Sequence, residues 1–318
     1  MIRLTYGFFY VVFYLISLLP FCVLYLLSDV VFLLLYYIIR YRRRLVRKHL
    51  TTCFPEMSQA DIIKTEKAFY HWMCDYFNET IKLLSIKPEN LLKHIEFRNV
   101  EALETCFSEG QDCAALLGHY CNWEWLSATG LCFKQHPEAV AGLIYHPLYN
   151  KAFDRLFLDI RQSMGGVCIP KKDILRYLVK YRGENRRSLF GYISDQGPKW
   201  ENIHLWLNFL HHETPVFTGA ERIMRKMKQA VFYVDMQRPK RGKYICTFHL
   251  ITRNPQELGE HELTRIFFEM LEASIRQQPA YYLWTHNRWK RSKQEFDQHF
   301  RIENGRTVRI TPTDQTHE

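Results

Sequence analysis

A histidine and a glutamate with four residues between them stand in the stretch GHYCNWEW, Gly118 to Trp125, directly after the apolar run CAALL, Cys113 to Leu117. An imidazole with one nitrogen facing a carboxylate keeps a fixed tautomer, and its other nitrogen is free to take a proton. That is the orienting half of a triad without its own serine. The nucleophile would be a substrate hydroxyl, deprotonated by His119 as it attacks an acyl carbonyl. Five steps along an α-helix turn a side chain by roughly 500°, which leaves the two residues about 140° apart. They therefore cannot share a helix face. They can meet if His119 sits on the turn after a strand and Glu124 in the first turn of the next helix. Asn122 suits the N-cap of that helix, and a carboxylate in its first turn is favoured by the helix dipole. Taken alone, the pair reads more readily as a structural histidine at a strand end; its companions change that.

The elements that must hold this pair are legible from pattern. Strands are predicted at Cys113–Leu117, Ala139–Tyr145, Ser188–Ile193, Ala230–Met236 and Tyr244–Ile251. Helices are predicted at Trp123–Phe133, Lys151–Met164, Lys172–Tyr181, Thr218–Met227 and Glu260–Arg276. Strands alternating with helices imply an α/β fold with a mainly parallel, mixed sheet flanked by helices. Ligands of such sheets bind beyond the carboxyl ends of the strands, where His119 falls. Upstream, Ser58 and Asp61 form a helix start, and apolar residues keep a helical rhythm from Ile62 to about Leu84. RPKRGKY, Arg238 to Tyr244, reads as a hairpin turn with basic flanks.

The N-terminus is a different material. Thr5 to Leu27 is 23 residues without a charge, and after Ser28-Asp29 the run continues as VVFLLLYYII, Val30 to Ile39. About 20 apolar residues cross a bilayer core. One straight helix over Phe8 to Ile39 would be ~48 Å long, more than that core. The segment is thus a membrane helix or a helical hairpin bent near Pro20 and Ser28-Asp29. A signal peptide fits worse, because the run is too long and no small-residue cleavage site follows. Arg40, Arg42, Arg43, Arg44, Arg47 and Lys48 follow it, which the positive-inside rule puts on the cytoplasmic side.

The whole chain has 318 residues, 47% hydrophobic, with a net charge of +10, a pI near 9.1 and a mean hydropathy of −0.27. That is enough to bury a large core, and the basic balance implies an anionic partner. Nine cysteines without a C-x-x-C pair fit neither a disulfide framework nor a zinc site, and read as reduced thiols.

Several other residues have two readings. Arg161, late in a predicted helix before Gly165-Gly166, either answers the helix dipole or grips a phosphate with its fork. Asp195 in SDQGP is a turn residue or a site residue. Trp123 and Trp125 line an acyl groove or, more simply, pack the core. His211, His212 and Glu213 lack the i, i+4 spacing of a zinc helix. ERIMRKMK, Glu221 to Lys228, is a solvated face or a docking patch for acidic groups. Arg288, Lys290, Arg291 and Lys293 interleave with Trp284 and Trp289; beside a membrane anchor, contact with headgroups or an acceptor phosphate fits better than nucleic acid. No G-x-S-x-G, Walker A, G-x-G-x-x-G or H-E-x-x-H pattern occurs.

Taken in order, YRRRLVRKHLTTCFPEMS, GHYCNWEW, IYHPLYN, IRQSMGG, YISDQGP, TPVFTGAERI and PAYYLWTHNRWKR resemble the late acyltransferases of bacterial lipid A biosynthesis over nearly the whole chain. The resemblance implies a glycerolipid-acyltransferase-like fold and catalysis by His119 and Glu124, matching the family's His-x4-acid motif. It also implies substrate-site roles for Arg161 and Asp195. His146, in Tyr145-His146-Pro147, stands where many members carry arginine, and serves there only when protonated. Implied too are an acyl carrier protein donor as co-substrate, a lipid A precursor as acceptor, no metal or cofactor, and a place at the cytoplasmic face of a bacterial inner membrane. The chain divides into an anchor with its basic cluster over 1–45, one acyltransferase domain over 46–306 and a polar tail over 307–318. The rival readings are the same chemistry on a lysophospholipid or aminolipid, and a non-catalytic adaptor that binds anionic lipid.

Overall fold

A computed structural model describes residues 2–303 and 305–310. It opens with helices α1 (Ile2–Leu18) and α2 (Phe21–Leu33), separated at Leu19-Pro20, and α2 runs on as π-turns over Leu34–Ile39. Proline at the entry of α2 has no N–H to continue the ladder, so the apolar segment breaks there. Phe21–Ile39 is long and apolar enough to cross a membrane. After α3 (Arg43–Cys53) comes α4 (Gln59–Lys82), whose N-cap Ser58 accepts from the Asp61 amide as expected.

Helix α2 does not project freely from the domain. It lies antiparallel along α4, joined by a row of polar contacts. The Tyr25 hydroxyl donates to Glu79 (3.0 Å), Asn78 donates to Ser28 Oγ (2.7 Å), His71 meets Asp29 (2.8 Å), and the Tyr36 hydroxyl donates to Glu66 (2.9 Å). Its other side exposes Leu26, Val30, Leu33, Ile38 and Ile39. The basic cluster turns partly inward: Arg43 and Arg47 pair with buried Glu66, and Arg42 donates to the Thr285 carbonyl.

The remaining elements are α5 (Pro88–Leu91), β1 (Ile95–Arg98), α6 (Val100–Ser108), β2 (Cys113–Leu117), β3 (Val140–Tyr145), α7 (Lys151–Gln162), β4 (Val167–Pro170), α8 (Ile174–Gly183) and β5 (Ser188–Ile193). They continue with β6 (Trp206–Phe209), β7 (His212–Pro215), α9 (Gly219–Met227), β8 (Ala230–Lys240), β9 (Lys243–Thr252), α10 (Glu262–Gln277), α11 (Lys293–His299), β10 (Phe300–Glu303) and β11 (Arg306–Arg309). Seven strands form one sheet in the order β1-β9-β8-β2-β5-β3-β4, parallel throughout except where β8 and β9 form an antiparallel hairpin. The fold is the expected mixed α/β architecture with a mostly parallel sheet flanked by helices. Gly242 in the β8–β9 turn has φ +72°, and a Cβ there would strike the Tyr25 hydroxyl.

Three expectations change. Trp123 to Cys132 winds as successive 3-10 turns, not as an α-helix, because Ser127 and Thr129 hydroxyls bond to carbonyls three residues back. Strands β1 and β4 escape the pattern because each has only four residues. The tail expected from residue 307 still holds β11, paired with β10, to Arg309; residues 311–318 lie outside the described part.

Candidate active site

Strands β2 and β5 are neighbours in parallel register, with Leu117 opposite Ile193. His119 and Asp195 each lie two residues past that pair, so the sheet delivers them side by side at its carboxyl edge. The Ser194 amide donates to the Leu117 carbonyl (3.1 Å) and extends the pairing into the turn. Gly118 is required by closeness: a Cβ there would lie 2.8 Å from Leu271 of α10.

His119 Nδ1 stands 2.7 Å from Asp195 Oδ1, and Asp195 is 2% exposed. Burial pushes the Asp195 carboxyl up, but the charge and hydrogen bonds of His119 and the charge of Arg288 outweigh it and hold it below its ordinary value. On the other side, the Gln196 side-chain nitrogen lies 3.2 Å from His119 Nε2. The carboxylate on Nδ1 and the amide at Nε2 hold the ring in one orientation, with Nδ1–H donating to Asp195. Both His119 and Gln196 line the cavity, so a substrate hydroxyl reaches Nε2 by displacing the Gln196 amide.

Glu124 does not meet His119, contrary to the expectation from its spacing. Its carboxylate is gripped by Arg161, Nε to Oε2 at 2.7 Å and Nη2 to Oε1 at 2.6 Å, with the Tyr76 hydroxyl at 3.4 Å. The expected N-cap forms, with Asn122 Oδ1 accepting from the Trp125 amide, and it places Glu124 in the first turn facing α7. The reason for the mismatch is competition: a guanidinium fork binds both oxygens of a carboxylate, which one imidazole N–H cannot match. The same pairing takes the Nε–Nη2 edge of the Arg161 guanidinium and balances its charge with that of Glu124. Burial opposes its charge, and Glu124 more than restores it.

The closing segment braces this turn. The Leu283 amide donates to the His119 carbonyl (3.1 Å), and the Cys121 amide donates to the Tyr281 carbonyl (2.9 Å). Burial and the Asp195 charge push the Tyr282 phenol up. Burial pushes His286 down to about 4, so it is neutral near pH 7. Arg288, expected at a headgroup surface, is 3% exposed, and Trp284 is fully buried. Arg288 Nη2 donates to the Pro215 carbonyl (2.7 Å), and its charge faces Asp195. Trp125 packs in the core, while Trp123 sits edge-on to His119 with ring centres 5.2 Å apart.

A cavity of about 790 Å³ opens from His119 across one face of the sheet. Its floor is lined by small residues, Ala115, Gly191 and Ala141, on the three adjacent strands β2, β5 and β3, with Ala115 directly opposite Gly191. Leu117, Val234 and Phe248 continue it as apolar wall. His146 lines the mouth, exposed, its Nδ1 3.0 Å from the next carbonyl, and Leu148 beside it is exposed too. A cavity of this volume, lined largely by apolar side chains, has room for an acyl chain. His212 contacts Thr52 (2.9 Å) and lies away from this cavity.

Sequence reasoning found His119, Glu124, Arg161, Asp195 and His146, and all but Asp195 line the cavity. It missed Gln196, Tyr282 and the Asp195 partnership. The signal was present: two strands with correctly placed ends, each followed two residues later by one half of a dyad, lacked only the knowledge that the strands are adjacent. A search of curated proteins returns no match to the chain. The family model described as bacterial lipid A biosynthesis acyltransferase matches residues 2–291, nearly the whole length. With the acyl-sized cavity and its histidine in view, the chain belongs to the bacterial lipid A biosynthesis acyltransferases.

Proposed function

We propose that this acyltransferase moves a fatty acyl chain from an acyl carrier protein thioester to a hydroxyl of a lipid A precursor. The observation that supports it most is the His119–Asp195 pair at the polar end of an apolar cavity. The acyl chain lies along the Ala115–Gly191–Ala141 floor with its thioester carbonyl at His119. The acceptor hydroxyl gives its proton to His119 Nε2 while its oxygen bonds to the carbonyl carbon. Asp195 stabilises the imidazolium that forms. The tetrahedral intermediate collapses, the carbon–sulfur bond breaks, and His119 returns the proton to the thiolate. Gln196 Nε2, beside His119, is placed to donate to the developing oxyanion. Glu124 and Arg161 serve as a locked pair that shapes the cavity wall.

The reading extends to a cytoplasmic-face attachment at the bacterial inner membrane, through α1, α2 and the exposed apolar side of the latter. The test is mass spectrometry of lipid A from cells with and without the gene, complemented by wild type, His119→Ala or Asp195→Asn. The expected outcome is loss of one acyl-chain mass on deletion, restored by wild type alone. Unchanged lipid A with an altered phospholipid or aminolipid fraction would move the acceptor to those lipids. No lipid change at all would favour the adaptor reading.

A further inference from the structure

The cavity is apolar along its floor but carries an unbalanced charge at its mouth. Lys171, Arg222 and Lys226 line it and are exposed, and none has an ion pair with a carboxylate among the described residues. The acid inside the cavity, Glu124, is already neutralised by Arg161. Three positive charges therefore face a space whose own acid cannot answer them.

The cations also converge. Lys171 Nζ sits 4.4 Å over the ring of Phe217, the residue two before α9 begins. Arg222 folds back toward the same turn, its Nη2 4.0 Å from the position a Cβ would take on Gly219. Lys226 follows Arg222 by four residues, on the same helix face. Gly219 and Ala220 line the cavity at this turn, and no side chain caps the helix there. Cations of like sign repel one another, and holding them at one mouth costs free energy unless an anion joins them.

The geometry points to a phosphate-binding subsite formed by Lys171, Arg222 and Lys226 at the mouth of the acyl cavity. It rests on the acyl-transfer reading for its place in the reaction, since a phosphate bound there positions a substrate whose reacting atoms lie at His119. Two substrates carry such a group: the phosphodiester of the donor's pantetheine arm and a phosphomonoester of the acceptor. A guanidinium with two ammonium groups suits either, through charge-assisted hydrogen bonds.

The experiment separates the two and does not depend on turnover. Full-length His119→Ala protein in detergent is titrated by calorimetry with matched probes: 4′-phosphopantetheine against pantetheine, and a bisphosphorylated disaccharide lipid against its dephosphorylated form. The expected result is that one phosphorylated probe binds about tenfold tighter or more than its partner. That preference disappears in Lys171→Gln/Arg222→Gln/Lys226→Gln and returns in Lys171→Arg/Arg222→Lys/Lys226→Arg, which keeps the charge. The pair that discriminates names the source. Equal binding within both pairs, or a preference that survives the triple glutamine variant with an unchanged melting temperature, overturns the subsite. If phosphate-dependent binding follows this pattern while wild type transfers no acyl group, the functional reading falls and the subsite stands.

Discussion

Asp195 and Glu79 are both buried carboxylates, 2% and 0% exposed, yet their surroundings treat them oppositely. Asp195 faces a group that can become a cation and is held below its ordinary value despite burial. Glu79 accepts from three neutral donors, Tyr244 (2.7 Å), Asn122 (2.8 Å) and Tyr25 (3.0 Å). There burial wins, and its carboxyl is pushed up even though Arg238 is near. The Arg238 guanidinium is bonded to Asp75 instead (2.6 Å). Burial alone does not decide whether an acid is charged; the partner does. Asp195 holds the His119 ring at the cavity edge. Glu79 is placed to hold four elements together, including the turn that Asn122 caps.

The largest effect that can break this contrast is catalytic. His119→Ala and Asp195→Asn are each expected to lower kcat by roughly 10³-fold or more, while Glu79→Gln leaves kcat within about tenfold at a temperature where it is folded. A kinetic assay with purified protein decides it. An Asp195→Asn enzyme at near wild-type rate would remove Asp195 from the chemistry.

Next in size is Glu124. Glu124→Gln leaves Arg161 without its carboxylate and is expected to cost about 2–4 kcal/mol of stability, a little below the ~3–5 kcal/mol for breaking a fully buried pair because Arg161 is partly exposed. Glu124→Gln/Arg161→Met should recover part of that loss. Denaturant titration of the single and double variants measures the coupling, and additive losses would show that the pair is not a unit.

The pH dependence of stability separates the two carboxylates directly. A depressed folded pKa means that the contribution of Asp195 is present above the ordinary carboxylate range and is lost as pH falls through the lowered value. A raised folded pKa means the reverse for Glu79: stability declines as pH rises from the ordinary 4.5 toward the higher folded value. Unfolding midpoints across pH should therefore flatten on the acid limb in Asp195→Asn. In Glu79→Gln they should flatten on the higher-pH side of that range.

The smallest effect lies away from both acids. Ala115→Leu raises the cavity floor without touching His119, and should shift preference toward shorter acyl chains by about 1–3 kcal/mol, read as kcat/KM across chain lengths.

Much of this was legible in the sequence. The boundaries of β2 and β5 follow from apolar runs bounded by polar residues, and the Asn122 and Ser58 caps follow from their chemistry. What stayed hidden was pairing between distant segments. Nothing in the local pattern around His119 states that β5 lies beside β2, so the nearer acid took precedence over Asp195, 76 residues away. Arg288 was misplaced for a similar reason. A basic run beside tryptophans looks like surface until a buried acid is known to lie beneath it. The membrane segment was recognised by composition, but its attachment rests on single polar residues, Tyr25, Ser28, Asp29 and Tyr36, that a hydropathy pattern averages away.

That row of contacts between α2 and α4 makes the apolar segment a rigid mount instead of a leash. A catalytic head on a flexible leash would tumble and face its lipid acceptor for only part of the time. Here the mount and the cavity share one body, through Glu79, which binds Tyr25 on α2 and Asn122 beside the His119 turn. Orientation is settled when the segment meets lipid, and what remains of the search for an acceptor is lateral diffusion in two dimensions. The rotational entropy that a docking step would otherwise cost is lost once, at attachment, and not again in each turnover.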